Sequence, residues 1–233
     1  MLFKPGPLVS EASGKIGGVV AAHNRGGQYL RQFRVPTNPS TAQQEAVRNA
    51  LSDLVSYWNS ALTQADRDEW DVYAANVART NRLGDTVFLN GQQTFLGYMV
   101  PRVQADDTDI AIIDKAPANF DRGEFTTPSF DSFTAASGTF DLAFDNADEW
   151  ANESGSALLV YVGRPQNETV NFFKGPYQLA GIVKGDDTTA PTSPATITSP
   201  FAFADGQKLF VSVAVTRVDG RLSSRRTFSG ISA

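Results

Sequence analysis

The chain has 233 residues, of which 41% are hydrophobic and 19% charged, a composition typical of a globular protein with one large or two small domains. It has no cysteine and one histidine, which excludes disulfides, thiolate metal sites and thiol nucleophiles. Residues 1–103 hold 10 Lys and Arg against 8 Asp and Glu, whereas residues 104–233 hold 10 against 17. The basic N-terminal part therefore suggests an acidic partner, and the acidic C-terminal part a solvated exterior.

The first predicted element is an extended arm over residues 1–39. A short apolar run at 16–22, turn residues at 23–27 and a strand-like run at 28–35 predict a β-hairpin with a five-residue loop. Because an isolated hairpin is marginally stable in water, this one needs a surface, which is either the helices that follow it or another subunit. If it binds another subunit, the contacts come from its larger apolar and basic residues: Ile16, Arg25, Tyr29, Leu30, Arg31, Phe33 and Arg34.

Residues 40–103 are predicted to form a small antiparallel unit of three helices. Each helix begins at a residue that can cap it and continues with apolar residues at helical spacing. The start signals are Ser40 with Gln43, Thr63 with Asp66, and Asn90. The apolar stripes are Val47, Leu51, Leu54 and Trp58 in the first helix, Trp70, Tyr73, Ala74 and Val77 in the second, and Phe95, Tyr98 and Met99 in the third. Pro101 is expected to end the third helix.

Residues 104–127 are expected to form an acidic linker with one apolar patch at 110–113. Over residues 128–233 the apolar pattern has a period of two, and seven short candidate strands predict a β-sandwich. The candidate strands are 129–134, 139–145, 157–164, 177–184, 195–201, 208–218 and 224–229. The predicted fold class is therefore α+β, with a β-hairpin arm and a small three-helix unit followed by an all-β sandwich.

No group of residues in the sequence forms a catalytic constellation. His23 is the one candidate for acid–base chemistry at neutral pH, and it lies in a turn with no carboxylate near it in sequence. Asp106, Asp107 and Asp109 could supply oxygen ligands, but they lack the Gly and Glu of an EF-hand loop and are interpreted as solvated linker. A single Arg-Gly-Gly at 25–27 does not predict RNA binding. We therefore expect no enzyme activity, no metal, no cofactor and no nucleic-acid partner.

Two parts of the sequence resemble known families. The run KLFVSVAVTRVDGRLSS at 208–224 resembles the penultimate strand and hairpin of fibronectin type III domains, a branch of the immunoglobulin-like sandwiches. The run TFDLAFDNADEW at 139–150 is similar to the second strand of that fold, although Trp150 lies beyond the usual core position. Residues 13–95 resemble a family encoded in tailed-phage and prophage genomes, and the most specific pieces are NRGGQYLRQ and PTNPSTAQQ. This second resemblance implies a virion structural protein and fixes no binding residues beyond the arm.

The leading hypothesis is an accessory virion protein, made in the host cytoplasm and anchored by its arm to the head or tail shell. Capsid decoration is the first interpretation and a neck or tail component the next. The expected partners are major capsid or tail proteins and copies of itself, and no run approaches the roughly 18 apolar residues of a membrane span. The alternative is a surface adhesion or carbohydrate-binding module, which predicts exposed aromatic rings on the sandwich. The candidate rings are Trp150, Tyr161 and Tyr177.

Overall fold

The computed structural model describes residues 2–4, 11–35, 37–38, 40–81 and 83–232. In this part of the chain, three α-helices and fourteen strands in four antiparallel sheets form a mixed α+β fold, the class predicted from the sequence. The helices are α1 (Ala42–Ser60), α2 (Gln64–Asn76) and α3 (Gly91–Ala105). Some residues of the predicted arm, namely 1, 5–10, 36 and 39, lie outside the described residues.

Four short strands near the N-terminus form one sheet, which we call the arm sheet. They are β1 (Leu2–Phe3), β2 (Gly14–Ile16), β3 (Val19–Asn24) and β4 (Gly27–Gln32), in the order β1–β4–β3–β2. The predicted hairpin is present as β3 and β4, but the prediction of a five-residue loop was wrong. Pairing continues to Asn24 opposite Gly27, so the turn consists of Arg25 and Gly26. Gly27 has a φ of +109°, which few other residues adopt.

The predicted starts of α2 and α3 are confirmed, since each begins with a capping box. The two boxes are Thr63 with Asp66 and Asn90 with Gln93. The start of α1 was predicted one residue too early, because Ser40 has a φ of +45° and an N-cap residue adopts an extended conformation. Thr41 caps α1 instead and accepts a hydrogen bond from the backbone N–H of Gln44 at 3.4 Å. The side chain of Gln43 lies outside the described part of the chain.

The prediction that Pro101 ends α3 was wrong, because the helix continues to Ala105. A proline inside a helix removes one backbone hydrogen bond and crowds the preceding turn. The residues after Pro101 are held by tertiary contacts, since Arg102 is buried and hydrogen-bonded to other segments and Val103 packs against the helical core. These contacts stabilise the last turn of the helix despite the proline.

The three helices enclose one core, in which aromatic rings surround Trp70. The ring of this fully buried residue lies 5.4 Å from that of Phe95 and 6.3 Å from that of Tyr98, in edge-to-face geometry. Most of the predicted apolar stripe residues belong to this core. Val47 and Leu51 do not, and their prediction as core was wrong. The N-terminal half of α1 borders an open cleft of about 880 Å³ instead. A short two-stranded sheet, β5 (Arg79–Thr80) with β6 (Thr86–Val87), lies between α2 and α3 in sequence.

All seven strands predicted after residue 128 are present, with ends that differ from the prediction by a few residues. They are β7 (Ser129–Thr134), β8 (Thr139–Ala143), β9 (Ala157–Gly163), β11 (Tyr177–Lys184), β12 (Ala195–Thr198), β13 (Gln207–Thr216) and β14 (Arg226–Ile231). A two-residue strand, β10 (Gln166–Asn167), was not predicted and pairs with β13. We call this part of the chain the β unit.

The β unit has two sheets that share one hydrophobic core. The smaller sheet has the order β12–β8–β7, and in the larger one β9 lies between β11 and β13 while β14 also pairs with β13. Alternate residues of β9 and β13 point into the core, where they meet Phe140 and Leu142 of β8. The inward residues of the larger sheet are Leu158, Val160, Val162, Leu209, Val211, Val213 and Val215.

The segment that precedes the β unit, residues 106–128, packs against both cores. Ile112 and Ile113 contact the helical core, and Phe125 belongs to the core of the β unit. The indole N–H of Trp70 donates to the carbonyl oxygen of Asp114 at 2.8 Å. Asp106 and Asp109 are exposed, and the carboxylates of Asp107 and Asp109 lie 2.9 and 2.8 Å from Nζ of Lys184 in the β unit. This segment therefore joins the helical unit to the β unit.

A buried arginine of α3 crosses the same junction. The guanidinium of Arg102 donates to the carbonyl oxygens of Ala111 and Arg217 at 2.7 and 2.8 Å, and to the hydroxyl of Thr216 at 2.8 Å. Burial lowers the pKa of Arg102 to about 10, so the side chain remains charged at neutral pH. The helical unit therefore places a charge in the interior, and its acceptors come from the β unit and from the segment that precedes it.

Two further buried arginines follow β13 and are paired with carboxylates. Arg217 binds Glu153 at 2.6 Å and Glu149 at 2.9 Å. Arg221 binds Asp219 at 2.7 Å and also pairs with Asp121 in the segment before the β unit. We call Arg102, Arg217 and Arg221 the junction arginines, because each connects segments that are distant in sequence.

Candidate interaction surface

The side chains of the arm sheet divide into two faces, because directly paired residues point to the same side. Lys15, Val20 and Arg31 are aligned across three strands, and Nζ of Lys15 lies 3.7 Å from the centroid of the Phe33 ring. The first face therefore carries Lys15, Val20, Tyr29, Arg31 and Phe33. The second face carries Ile16, Val19, Ala21, Gln28 and Leu30.

The seven residues predicted to contact a partner are thus not all on one face. Tyr29, Arg31 and Phe33 share the first face, whereas Ile16 and Leu30 lie on the second. The remaining two, Arg25 and Arg34, lie in the β3–β4 turn and just after β4. The sequence identified the segment but not the division into faces, because that division depends on the register of β2, β3 and β4.

Large apolar side chains are exposed in this region. Ile16 is 82% exposed, Val35 81% and Phe33 47%, and Val19 on the second face is exposed as well. Exposed apolar side chains can mark an interaction surface, and here they occur on both faces of the sheet, with Ile16 and Val19 on the second and Phe33 on the first. We call these four residues the arm patch. Val19 and Val35 were missed in the sequence because both fall in runs predicted to be strands, and valines in strands are usually covered by the core.

The cations around the arm patch have no carboxylate partners among the described residues. Arg25, Arg31 and Arg34 are exposed and form no ion pair within that part of the chain. Nε of Arg34 donates to the side-chain oxygen of Gln32 at 3.2 Å. Arginine combines a planar donor group with a weakly hydrated charge, and it is enriched at protein interfaces for these reasons. The arm sheet therefore offers an apolar and basic surface.

Two polar contacts connect the arm sheet to the helical unit. Nδ2 of Asn81 donates to the carbonyl oxygen of Gly26 at 2.9 Å, and Nζ of Lys4 binds Asp85 at 2.5 Å. The hydrogen bond from Lys4 lowers the pKa of Asp85. Exposed ion pairs of this kind contribute little to stability. Among the described residues, neither of the two large apolar cores contains a side chain of the arm sheet.

The outer strand of the arm sheet has an open edge. β2 pairs with β3, and all three of its residues are exposed. No strand of the described chain pairs with its other side. An open strand edge can accept a strand from another chain, and native proteins usually cover or charge such edges. Lys15 is the one charged residue in β2.

The aromatic rings predicted for a glycan-binding face are not exposed there, so that prediction was wrong. Trp150 is buried and packs 5.4 Å from the Phe144 ring, and Tyr161 is buried with the guanidinium of Arg225 4.3 Å from its ring. Tyr177 is half-buried. The ring that is exposed on the β unit is that of Phe172, outside the strands.

In the part of the chain that the structure describes, no group of three or more His, Cys, Asp and Glu side chains is close enough to hold a metal ion. None of the helices in the described ranges is both long and apolar enough to cross a membrane. His23 is exposed at the end of β3, opposite Gln28. No protein-family model matches the chain, and comparisons with curated proteins and with solved structures found no significant match.

Proposed function

We propose that the chain is a non-enzymatic structural protein of a virion, and that its arm sheet binds another subunit of the particle. Capsid decoration is the role we favour, and a neck or tail component is the next. The partners are major capsid or tail proteins and further copies of this chain. The observation that carries the proposal is the arm patch, four exposed apolar side chains between residues 16 and 35, together with arginines that form no ion pair within the described residues.

The energetics favour a partner for this surface. Full burial of a side chain the size of Ile16, Phe33 or Val35 contributes about 1.5–3 kcal/mol. Protein interfaces combine such an apolar centre with arginine and a polar rim, and the arm sheet has all three. Because Ile16, Phe33 and Val35 are exposed in their own chain, the arm patch is available to another subunit.

We further infer that the β unit is a fibronectin type III-like sandwich that projects away from the anchored arm. Counted along the chain, the smaller sheet holds the first, second and fifth of the seven long strands. The fourth, β11, pairs with β9 and not with β12. In the constant-type immunoglobulin arrangement the fourth strand lies in the same sheet as the first, second and fifth strands. This division supports the fibronectin-like alternative, to which the sequence run at 208–224 is similar.

The proposal is tested by the solution mass of the full chain beside that of a chain that starts at Thr41, measured by light scattering over a range of concentrations. The full chain is expected to self-associate and the shortened chain to be monomeric. A full-length chain with Ile16→Asp and Phe33→Ser should behave like the shortened one. Phe172→Ser is the matched control, because it removes an exposed ring from the β unit.

If the full and shortened chains are equally monomeric and equally stable, the arm sheet does not bind copies of the chain. The proposal would then survive only if the arm is needed to bind a purified shell protein in the same assay. Failure of both measurements overturns it.

A further inference from the structure

A groove of about 690 Å³ lies between α2 and residues 115–120. One wall is formed by Ala65, Glu69 and Val72, which share a face of α2 because they are spaced four and three residues apart. Phe120 stands on the opposite wall. The opposite face of α2 is packed into the helical core, so this face is the one left for contacts outside the chain.

Both walls expose a large apolar side chain to solvent. Val72 is 56% exposed and Phe120 is 50% exposed. At the base of the groove the buried ring of Tyr73 lies 6.2 Å from that of Phe120, and its hydroxyl donates to the carbonyl oxygen of Asp121 at 3.3 Å. The groove is therefore an apolar surface with a fixed floor, and an inserted apolar side chain would contact rings on two sides.

The α2 side of the groove is acidic. Asp68 accepts a hydrogen bond from Nε2 of Gln64 at 2.8 Å. The carboxylate of Glu69 has no hydrogen-bond or ion-pair partner among the described residues. Arg67, the one basic residue of α2, does not neutralise them, since its guanidinium donates to the carbonyl oxygens of Trp58 and Leu62. Lys115 is the single cation in the lining.

Residues 31–35 of the arm have the complementary chemistry. Arg31 and Arg34 have no carboxylate partner in the described chain, and Phe33 and Val35 are exposed. The two arginines can therefore face the acidic α2 side of the groove, while Phe33 and Val35 contact its apolar walls. We infer that residues 31–35 of one copy bind the groove between α2 and residues 115–120 of a second copy. This inference rests on the proposed function and names the surface that receives the arm.

The contact requires a second copy and links two different surfaces. In their own copy, residues 33 and 35 are exposed, so they do not fill the groove of the same chain. Reciprocal exchange of arms between two copies would give a closed two-fold dimer, whereas an arm passed to the next copy in line makes a heterologous contact that produces a ring or a filament. In either assembly each copy gives its arm to a neighbour and receives an arm in its groove.

Charge reversal in the full-length chain tests the pairing that the inference implies, in which Arg34 of one copy faces Glu69 of the second. Glu69→Arg and Arg34→Glu should each weaken self-association about tenfold, as measured by sedimentation at several concentrations. The double variant should recover most of the loss, because the opposite charges again face each other. Val72→Ser should weaken association without changing the fold, which circular dichroism checks, whereas the control Phe172→Ser should not affect it.

The outcomes separate this inference from the proposed function. If Ile16→Asp with Phe33→Ser dissociates the assembly but Glu69→Arg and Val72→Ser leave it unchanged, the groove is not the acceptor, although the arm still assembles the protein. If the two charge reversals weaken association and the double variant does not recover it, the pairing of Arg34 with Glu69 is wrong. A full chain that is monomeric at every concentration overturns the inference together with self-assembly by the arm.

Discussion

The arm sheet and the junction between the helical unit and the β unit use arginine in opposite ways. At the junction Arg102, Arg217 and Arg221 are buried, and each donates to carbonyl oxygens or carboxylates of its own chain. In the arm Arg31 and Arg34 are exposed and lie beside apolar side chains. A buried and fully bonded charge fixes the chain to itself, whereas an exposed one beside apolar surface can bind another chain. The comparison predicts separate effects on stability and on assembly.

The largest effect on stability is expected from Arg102→Met. The substitution removes the donor to the carbonyl oxygens of Ala111 and Arg217 and to the hydroxyl of Thr216, and leaves those acceptors buried. We expect a loss of about 3 kcal/mol in the free energy of unfolding, measured by urea denaturation. Arg226→Met is the matched control, since its ion pair with Glu124 is exposed and should contribute less than about 1 kcal/mol. Equal losses in the two variants would contradict a special role for the junction.

An intermediate effect is expected from acid, through Glu153. Burial raises the pKa of this carboxyl, but hydrogen bonds from Arg217 and Ser156 outweigh burial, so the pKa in the folded state is lowered. The stabilisation is therefore complete above the pKa of the unfolded chain, about 4.3, and is lost as the pH falls below it. Thermal unfolding between about pH 6 and pH 3 should show a falling midpoint.

Glu153→Gln should reduce this acid dependence by on the order of 1 kcal/mol once solvent screening is allowed for. Glu168→Gln, an exposed carboxylate without an ion pair in the described chain, is the control and should leave the dependence unchanged. An identical pH profile for the wild type and Glu153→Gln would show that the pair with Arg217 does not stabilise the junction.

The smallest effect is expected from Lys4→Met, which removes the ion pair between the arm sheet and Asp85. Both side chains are largely exposed, and solvent screens their interaction. The thermal midpoint should not change measurably, and self-association should be retained because Lys4 lies outside the arm patch. A large drop in the midpoint would show that the arm sheet is an integral part of the fold, contrary to the comparison.

Local signals in the sequence predicted much of this fold. The capping boxes at Thr63 and Asn90 involve residues three positions apart, so they were readable without tertiary information. The seven strands of the β unit followed from the period of two in the apolar residues. The errors at Pro101 and at Val47 have the opposite origin. Contacts with distant segments keep α3 helical beyond Pro101, and the absence of such contacts in the described chain leaves Val47 exposed.

The candidate site was only partly predictable for the same reason. Composition identified the arm as basic and its apolar residues as candidates, but exposure depends on what covers each side chain. The junction arginines were not predicted at all. Arg102 and Thr216 are 114 residues apart, and Arg221 and Asp121 are 100 apart, so no local pattern connects them. The acidic groove likewise combines α2 with residues 115–120, which are separated by a third helix.

The position of Arg102 also bears on how the protein is made. Its hydroxyl acceptor is 114 residues further along the chain, which corresponds to roughly 6–23 s of translation at about 5–20 residues per second. During that interval α3 has been synthesised, but β13, whose Thr216 accepts the hydrogen bond from Arg102, has not. The guanidinium must stay hydrated until β13 emerges, so the helical unit is completed late in synthesis although its helices are made early.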